Sequence, residues 1–319
     1  MTRILLTRHF PEKVIEAARE SFDVTLREAA HFLPEEEAAQ ALRDYDAVLC
    51  TLGDRFNAEA LAQVDSPRTR VLANFGVGYN HIDVAAARAK GIAVSNTPDV
   101  VTESTADIGM ALILATCRRI GEGERIVRAG KWPGWNPTQM LGTHVSGKTV
   151  GIVGMGRIGQ AVAQRCHYGF GMPVLFYNRS LKGTALPALQ VDSLTELMAE
   201  SDIVVVTVPA TPETRGLIGA EELAAMRPTG FLINIARGDI VDEAALIDAL
   251  QRRAIAGAGL DVFAREPEVP EALMALENAV LTPHLGTAAL ETREAMGLMA
   301  LENIRAWSRG EALPQALEG

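Results

Sequence analysis

Apolar residues along the first 95 positions gather in short runs, at residues 4–7, 24–26, 47–50, 71–73 and 92–94. Between them, residues 12–20, 35–42, 58–64 and 81–90 repeat apolar positions at helical spacing. Short runs bounded by polar segments predict strands buried on both faces, and their alternation with helices predicts a parallel sheet. A second series follows at residues 149–153, 174–177, 203–206, 231–235, 256–260 and 279–281, again with helical segments between most of them. The fold class is therefore α/β, with two Rossmann-like or flavodoxin-like parallel-sheet domains and a cleft between them.

Three other stretches shape this picture. A long helix begins near Asp99, with Asp99 or Thr102 as its cap, and its middle, residues 108–115, is apolar on every side. Such a helix predicts burial all round, between domains or between subunits, and it is too short to span a membrane. Residues 131–145, KWPGWNPTQMLGTHV, hold two tryptophans and two prolines without periodicity. They predict an extended arm that needs something to pack against. A last helix, about residues 289–307, lines Met296, Met299, Ala300, Ile304 and Trp307 along one face. It is expected to return to the first domain, giving residues 1–98 plus 289–319 as one domain and 99–288 as the other.

The second series opens with a motif. The run at 149–153 leads into Gly154-Met155-Gly156-Arg157-Ile158-Gly159, and Ile158, Ala161, Val162 and Cys166 then recur at helical spacing. Strand, glycine turn, helix and strand together form the context of a dinucleotide fingerprint. Gly154 allows the tight turn, Gly156 lets backbone approach a pyrophosphate, and Gly159 lets the helix pack closely. The helix start presents free N–H groups to that anion. Six strands is also the count of the full dinucleotide-binding fold.

The end of the strand at 174–177 bears on which dinucleotide. NAD-binding units place an acidic residue there for the adenosine ribose. This chain has Asn178-Arg179-Ser180 instead. A guanidinium and a hydroxyl suit a 2′-phosphate, so NADP(H) is favoured, with NAD(H) the alternative if Arg179 stacks on the adenine.

Composition narrows the class without naming it. A formal charge of −10 and the lack of a basic run argue against a nucleic-acid partner. Cys50, Cys117 and Cys166 have no C-x-x-C or Cys/His ligand spacing, which predicts buried thiols in a reducing compartment and no metal site. The N-terminal apolar run is short and broken by charge, so a cytoplasmic protein with no membrane segment is expected.

In an open parallel sheet ligands lie beyond the carboxyl ends of the strands. There the second series offers Ala236-Arg237-Gly238, Asp261 with Glu266 beyond it, and Thr282-Pro283-His284. Each alone has an ordinary explanation, as a surface ion pair, a solvated loop residue or a turn histidine. Together they bring a cation, a carboxylate and an imidazole to one end of the sheet. In the first domain Asn74-Phe75-Gly76-Val77-Gly78-Tyr79-Asn80 follows the fourth strand, and its glycines allow N–H groups to face a small anion or simply make a turn.

The stretches NFGVGYNHID, VTESTADIGMAL, GKTVGIVGMGRIGQAVA, INIARGDIVDEAAL, AGAGLDVFAREP and LTPHLGTAALETR resemble the D-isomer-specific 2-hydroxyacid dehydrogenases over nearly the whole chain. Within the family, GFGMPVLFYN and Asn178-Arg179-Ser180 look most like the NADP-preferring glyoxylate/hydroxypyruvate reductases, including the 2-ketogluconate-reducing branch. The resemblance implies Arg237, Glu266 and His284 as catalytic triad and Asp261 as a cofactor-contacting aspartate. It puts Thr105, Pro209 and Thr214 on cofactor-lining positions and Val77-Gly78 on the substrate-carboxylate loop. It also implies a homodimer built on the long apolar helix and the arm.

On that reading Arg237 binds the carboxylate of a 2-oxo acid, and His284 protonates the carbonyl oxygen while NADPH delivers hydride. Glu266 orients the imidazole and stabilises its charged form. Leu52 and the arm are expected to contact the substrate's side chain. Alternatives are an NAD-dependent D-2-hydroxyacid or phosphoglycerate dehydrogenase, and a dinucleotide-sensing corepressor or scaffold. A formate dehydrogenase is disfavoured because this chain has His284 where those enzymes have glutamine.

Overall fold

The computed structural model describes residues 1–318. Contacts divide the chain into two units, Met1–Val101 with Thr287–Gly319, and Thr102–Gly286. In the first unit β1 (Arg3–Leu6), β2 (Asp23–Leu26), β3 (Ala47–Thr51), β4 (Val71–Phe75) and β5 (Ala93–Ser95) form a parallel sheet in the order β2-β1-β3-β4-β5. Helices α1 (Glu12–Ser21), α2 (Glu35–Asp44), α3 (Ala58–Ala62) and α4 (Val84–Ala89) connect the strands. Successive strand residues enter opposite cores: Val48, Cys50 and Leu72 pack on one face, and Ala47, Leu49, Val71 and Ala73 on the other. That double burial is why the strands read as continuous apolar runs.

In the second unit α5 (Thr102–Cys117) and α6 (Ile120–Arg128) precede β6 (Val150–Val153) and α7 (Arg157–Gln164). A wider helical turn over Arg165–Gly169 ends α7 and leads to β7 (Val174–Tyr177). The remaining elements are β8 (Leu189–Gln190), α8 (Leu194–Glu200), β9 (Ile203–Val206), α9 (Ala220–Ala225), β10 (Phe231–Asn234), α10 (Glu243–Gln251), β11 (Gly257–Leu260), α11 (Glu271–Met274) and β12 (Ala279–Leu281). The parallel sheet runs β12-β11-β10-β9-β6-β7-β8. Chain order reverses between β6 and β9, which marks that crevice as the ligand-binding point of such a sheet. Here too Ile152 and Val205 face one core while Val153 and Val206 face the other.

One expectation needs correction. The second sheet has seven strands where six were expected, because β8 is only two residues long and has no apolar run to announce it. Within the single chain helix α5 is buried on one face and leaves the other open, which leaves untested its expected burial between subunits. Gly109, Met110, Leu112 and Ile113 are buried, whereas Ala111 is exposed and Ile108, Leu114 and Ala115 are half-buried. Its buried face packs on α7, β10 and β11. At Gly109 a β-carbon would come within 3.1 Å of Ile235 and 3.3 Å of Val162, so the helix sits close.

The last helix, α12 (Leu290–Ser308), packs on α1 and β4 through Met296, Gly297, Ala300, Leu301 and Ile304. Val14 lies against Gly297 at a separation that would admit no β-carbon. Among the described residues no helix is long and apolar enough to cross a membrane, and no group of three metal-ligating side chains occurs.

Candidate active site

The glycine turn after β6 is shaped by what surrounds each glycine. Gly154 has φ of 98°, and a β-carbon there would lie 2.6 Å from Val208 Cγ1, just past β9. A β-carbon on Gly159 would lie 2.2 Å from the Gly154 carbonyl oxygen. Gly156 differs: nothing lies within 4 Å of where its β-carbon would be. Two glycines thus close the turn onto β9 and α7, and the third leaves open space at the N-terminus of α7. Thr207 Oγ1 donates to the Gly154 carbonyl at 2.6 Å and pins the turn. The cradle fits a pyrophosphate, with the N-terminus of α7 on one side and nothing within 4 Å of the missing Gly156 side chain. Met155 is fully buried in the core beneath, and the exposed residues of the turn are Gly156 and Arg157.

Beyond β7, Asn178 is half-buried and Arg179 and Ser180 are exposed. Asn178 Nδ2 donates to the Ser180 carbonyl at 3.0 Å. Past β9, Pro209 and Thr214 close a small turn in which Thr214 Oγ1 donates to the Pro209 carbonyl at 2.7 Å. In the same turn Glu213 is held below the ordinary carboxyl value by the Thr211 hydroxyl and its own backbone, with the Arg179 charge adding to them. Arg157 is exposed and Ile158 half-buried at the start of α7, and Thr105 is buried on α5.

The ends of β10, β11 and β12 carry the reactive groups. Asn234, buried in β10, donates from Nδ2 to the Arg237 carbonyl at 2.8 Å and accepts from the Ala236 N–H at 3.0 Å. It thereby fixes the backbone on both sides of the Arg237 side chain. At Gly238 a β-carbon would fall 1.9 Å from the Phe263 carbonyl carbon, so the β10 and β11 ends touch through backbone alone. Phe263 N–H in turn donates to Glu266 Oε1 at 3.0 Å.

Asp261, at the end of β11, is 1% exposed. Its Oδ1 accepts from Thr282 Oγ1 at 2.5 Å and the Leu285 N–H at 2.7 Å, and its Oδ2 from the Gly286 N–H at 2.8 Å. One carboxylate therefore holds the whole turn that carries His284. Its side chain braces that turn from within the strand ends. His284 has φ of 53°, a left-handed conformation uncommon for a residue with a side chain, and its N–H donates to the Asp261 and Thr282 carbonyls, both at 3.0 Å.

So held, His284 Nδ1 lies 2.8 Å from Glu266 Oε2. Burial pushes the Glu266 carboxyl up. The hydrogen bond and charge of His284, the Phe263 N–H and the Arg237 guanidinium outweigh it, and the group lies below its ordinary value. An ionised carboxylate only accepts, so Nδ1 is the donor and Nε2 is left for a reacting group. Burial lowers the Arg237 guanidinium while Glu266 and Asp239 act the other way, and a guanidinium stays a cation regardless.

A cation and a hydrogen-bonded imidazole–carboxylate pair thus share the strand ends of a dinucleotide-binding sheet. Residues 110–286 match the sequence profile described as D-isomer specific 2-hydroxyacid dehydrogenase, NAD binding domain. A glyoxylate reductase from Pyrococcus furiosus is 45% identical over 318 residues, covering 98% of this chain and 94% of that protein. The chain belongs to the D-isomer-specific 2-hydroxyacid dehydrogenases. Structures of relatives agree along its full length. A Thermus thermophilus protein superposes with a TM-score of 0.92 at 42% identity, covering 99% of this chain and all of the other. An NADPH-dependent glyoxylate/hydroxypyruvate reductase from Sinorhizobium meliloti, in complex with NADP and malonate, gives 0.87 at 36%, covering 99% and 96%. This 2-hydroxyacid dehydrogenase is therefore an oxidoreductase with a nicotinamide-dinucleotide-binding domain.

In the first unit Leu52 and Val77 stand past the carboxyl ends of the paired strands β3 and β4 and are 41% and 38% exposed, high for large apolar side chains. Asn74 Nδ2 donates to the carbonyls of Gly76 at 2.9 Å and Gly78 at 3.0 Å, and Asn96 Nδ2 to that of Val77 at 2.9 Å. Sequence reasoning assigned no role to the side chains of Asn234, Asn74 and Asn96. The signal for Asn234 and Asn74 was a lone asparagine at the end of an apolar strand, which must satisfy its amide locally.

Proposed function

We propose that this dehydrogenase reduces small 2-oxo acids with NADPH, glyoxylate and hydroxypyruvate first among them and 2-ketogluconate a further candidate. The product is the 2-hydroxy acid, of D configuration where it is chiral. The observation that carries the chemistry is the 2.8 Å pair of His284 and Glu266 next to the Arg237 cation. When bound, the nicotinamide supplies hydride to the carbonyl carbon.

The chain's own residues do the rest. Arg237 holds the substrate carboxylate as a forked donor and polarises the neighbouring carbonyl. His284 gives the proton on Nε2 to the carbonyl oxygen. Glu266 keeps the ring oriented through Nδ1 and stabilises the imidazolium. Asp261 positions His284 by bracing residues 282–286. Val77 and Gly78 offer their N–H groups to the carboxylate, since the loop's carbonyls are already occupied, and Leu52 meets the substrate's side chain. The cofactor is held by the Gly154–Gly159 turn, by Thr105 of α5, by Pro209, Thr214, Ala236 and Asp261 past the strand ends, and by Asn178, Arg179 and Ser180 at the adenosine ribose.

Preference for NADPH is supported by the lack of a carboxylate after β7 and by the exposed Arg179 guanidinium. The test is nicotinamide absorbance on adding glyoxylate with NADPH or with NADH. Consumption of NADPH at the higher kcat/KM supports the reading. Equal use of NADH overturns the cofactor assignment, and no consumption of either overturns the activity.

A homodimer is supported by Trp132 and Trp135, 56% and 81% exposed on the arm, and by the half-exposed apolar face of α5. Light scattering should return twice 34.2 kDa, and a monomer overturns it. Three buried, unpaired cysteines suit a reducing, cytoplasmic compartment.

A further inference from the structure

The short strand β8 carries a residue that none of these roles uses. Gln190 is half-buried at the edge of the second sheet, where it lies opposite Phe176 of β7. Its side chain makes three hydrogen bonds to the backbone of the loop that follows β7. Nε2 donates to the Asn178 carbonyl at 3.2 Å and the Ser180 carbonyl at 3.1 Å, and Oε1 accepts from the Lys182 N–H at 3.0 Å. Both amide hydrogens and the amide oxygen are thereby engaged. The Ser180 carbonyl takes a second donor from Asn178 at 3.0 Å. Arg179, Ser180 and Lys182 remain exposed on the loop so fixed.

We propose that Gln190 is a positioning residue for cofactor specificity: it fixes the 178–182 loop so that Arg179, Ser180 and Lys182 together receive the 2′-phosphate of NADP(H). This rests on the cofactor reading above and adds two residues to it, Gln190 and Lys182. A mobile loop would lose conformational freedom on gripping an anion, and that loss would weaken binding. Three side-chain hydrogen bonds hold the backbone before the ligand arrives. Arg179 also feels the Glu213 carboxylate of the neighbouring turn, so a released loop would let the guanidinium swing toward that competitor. A ribose without the 2′-phosphate uses none of this, so the effect is confined to the phosphorylated cofactor.

Calorimetric titration of the purified full-length protein with adenosine 2′,5′-bisphosphate and adenosine 5′-monophosphate isolates the 2′-phosphate without any turnover. Gln190→Met keeps the side chain's length and removes its hydrogen bonds. The bisphosphate Kd should rise about tenfold in this variant, the loss of one to two net hydrogen bonds, while the monophosphate Kd holds. KM for NADPH should rise in parallel, with KM for NADH and kcat unchanged. Gln190→Glu keeps the acceptor for Lys182, loses both donors and adds negative charge, so it should weaken the bisphosphate further. An unchanged bisphosphate Kd in Gln190→Met overturns the proposal, as does an equal loss for both probes, which would make Gln190 a support of the fold only. A wild type that binds both probes alike and uses both cofactors alike shows instead that the cofactor reading has failed, and this proposal with it.

Discussion

His284 Nδ1 and Glu266 Oε2 lie 2.8 Å apart, although the two residues follow different strands, β12 and β11. Their meeting depends on neither side chain alone. Asp261 holds the turn of His284 through three hydrogen bonds, and the Phe263 N–H holds the other oxygen of Glu266. The pair is therefore set by the protein alone, as the proposed proton transfer requires.

Removing the ring should cost rate. His284→Ala is expected to lower kcat by roughly 10²–10⁴-fold, the range of a positioned general acid, with dinucleotide affinity retained. Arg237→Ala should instead raise KM for the oxo acid and lower kcat together, because it binds the carboxylate in ground state and transition state alike. Steady-state kinetics of both variants with glyoxylate checks the split.

The three glycines of the turn should not respond alike. Gly159→Ala forces a methyl group to within 2.2 Å of a carbonyl oxygen and should destabilise the fold by about 1–3 kcal/mol. Gly156→Ala meets open space and should leave the melting temperature nearly unchanged while raising the dissociation constant for the dinucleotide. Calorimetric melting and dinucleotide titration of the two variants separate packing from ligand approach.

At the adenosine ribose, replacing Asn178 with Asp and Arg179 with Ala should move kcat/KM toward NADH. One lost charge-assisted contact is worth about 1.5–3 kcal/mol, a change of roughly tenfold to a hundredfold in the NADPH/NADH ratio. The ratio of kcat/KM for the two cofactors is the measurement.

Both parallel sheets were legible because strands buried on two faces leave continuous apolar runs, as at Ile203–Val206, where alternate residues enter opposite cores. The glycine turn was legible because Gly154 and Gly159 sit where close approach leaves no room for a β-carbon, in a strand-turn-helix pattern that the sequence shows. Strand β8 was not, since two residues carry no periodicity. Nor was the partial exposure of α5, because apolar residues on all sides look the same whether or not each face is covered. The roles of Asn234, Asp261 and Gln190 were hidden for a different reason. Each acts through side-chain bonds to backbone groups, such as Gln190 to Asn178, whose closeness follows from strand order and not from sequence spacing.

The depressed Glu266 carboxyl carries a signature in stability. Its charged form is favoured by folding, so its contribution is present above the ordinary value of 4.5 and is lost as pH falls through the lower folded value. The melting temperature of wild type relative to Glu266→Gln should therefore decline as pH is taken below that value. Calorimetric scans of both proteins across the acid range read the difference, and a constant offset would contradict it.

The central claim, that His284 and Glu266 act as one proton-transferring pair, is tested most directly by kcat/KM for glyoxylate reduction against pH in wild type and Glu266→Gln. Reduction consumes the proton on His284, so the rate falls on the alkaline side, while oxidation of the hydroxy acid rises over the same range. Glu266→Gln removes the ionised partner of Nδ1, so kcat/KM should fall and its pH profile should change shape, with dinucleotide affinity nearly intact. Superimposable profiles for the two proteins would contradict the account and remove Glu266 from the pair.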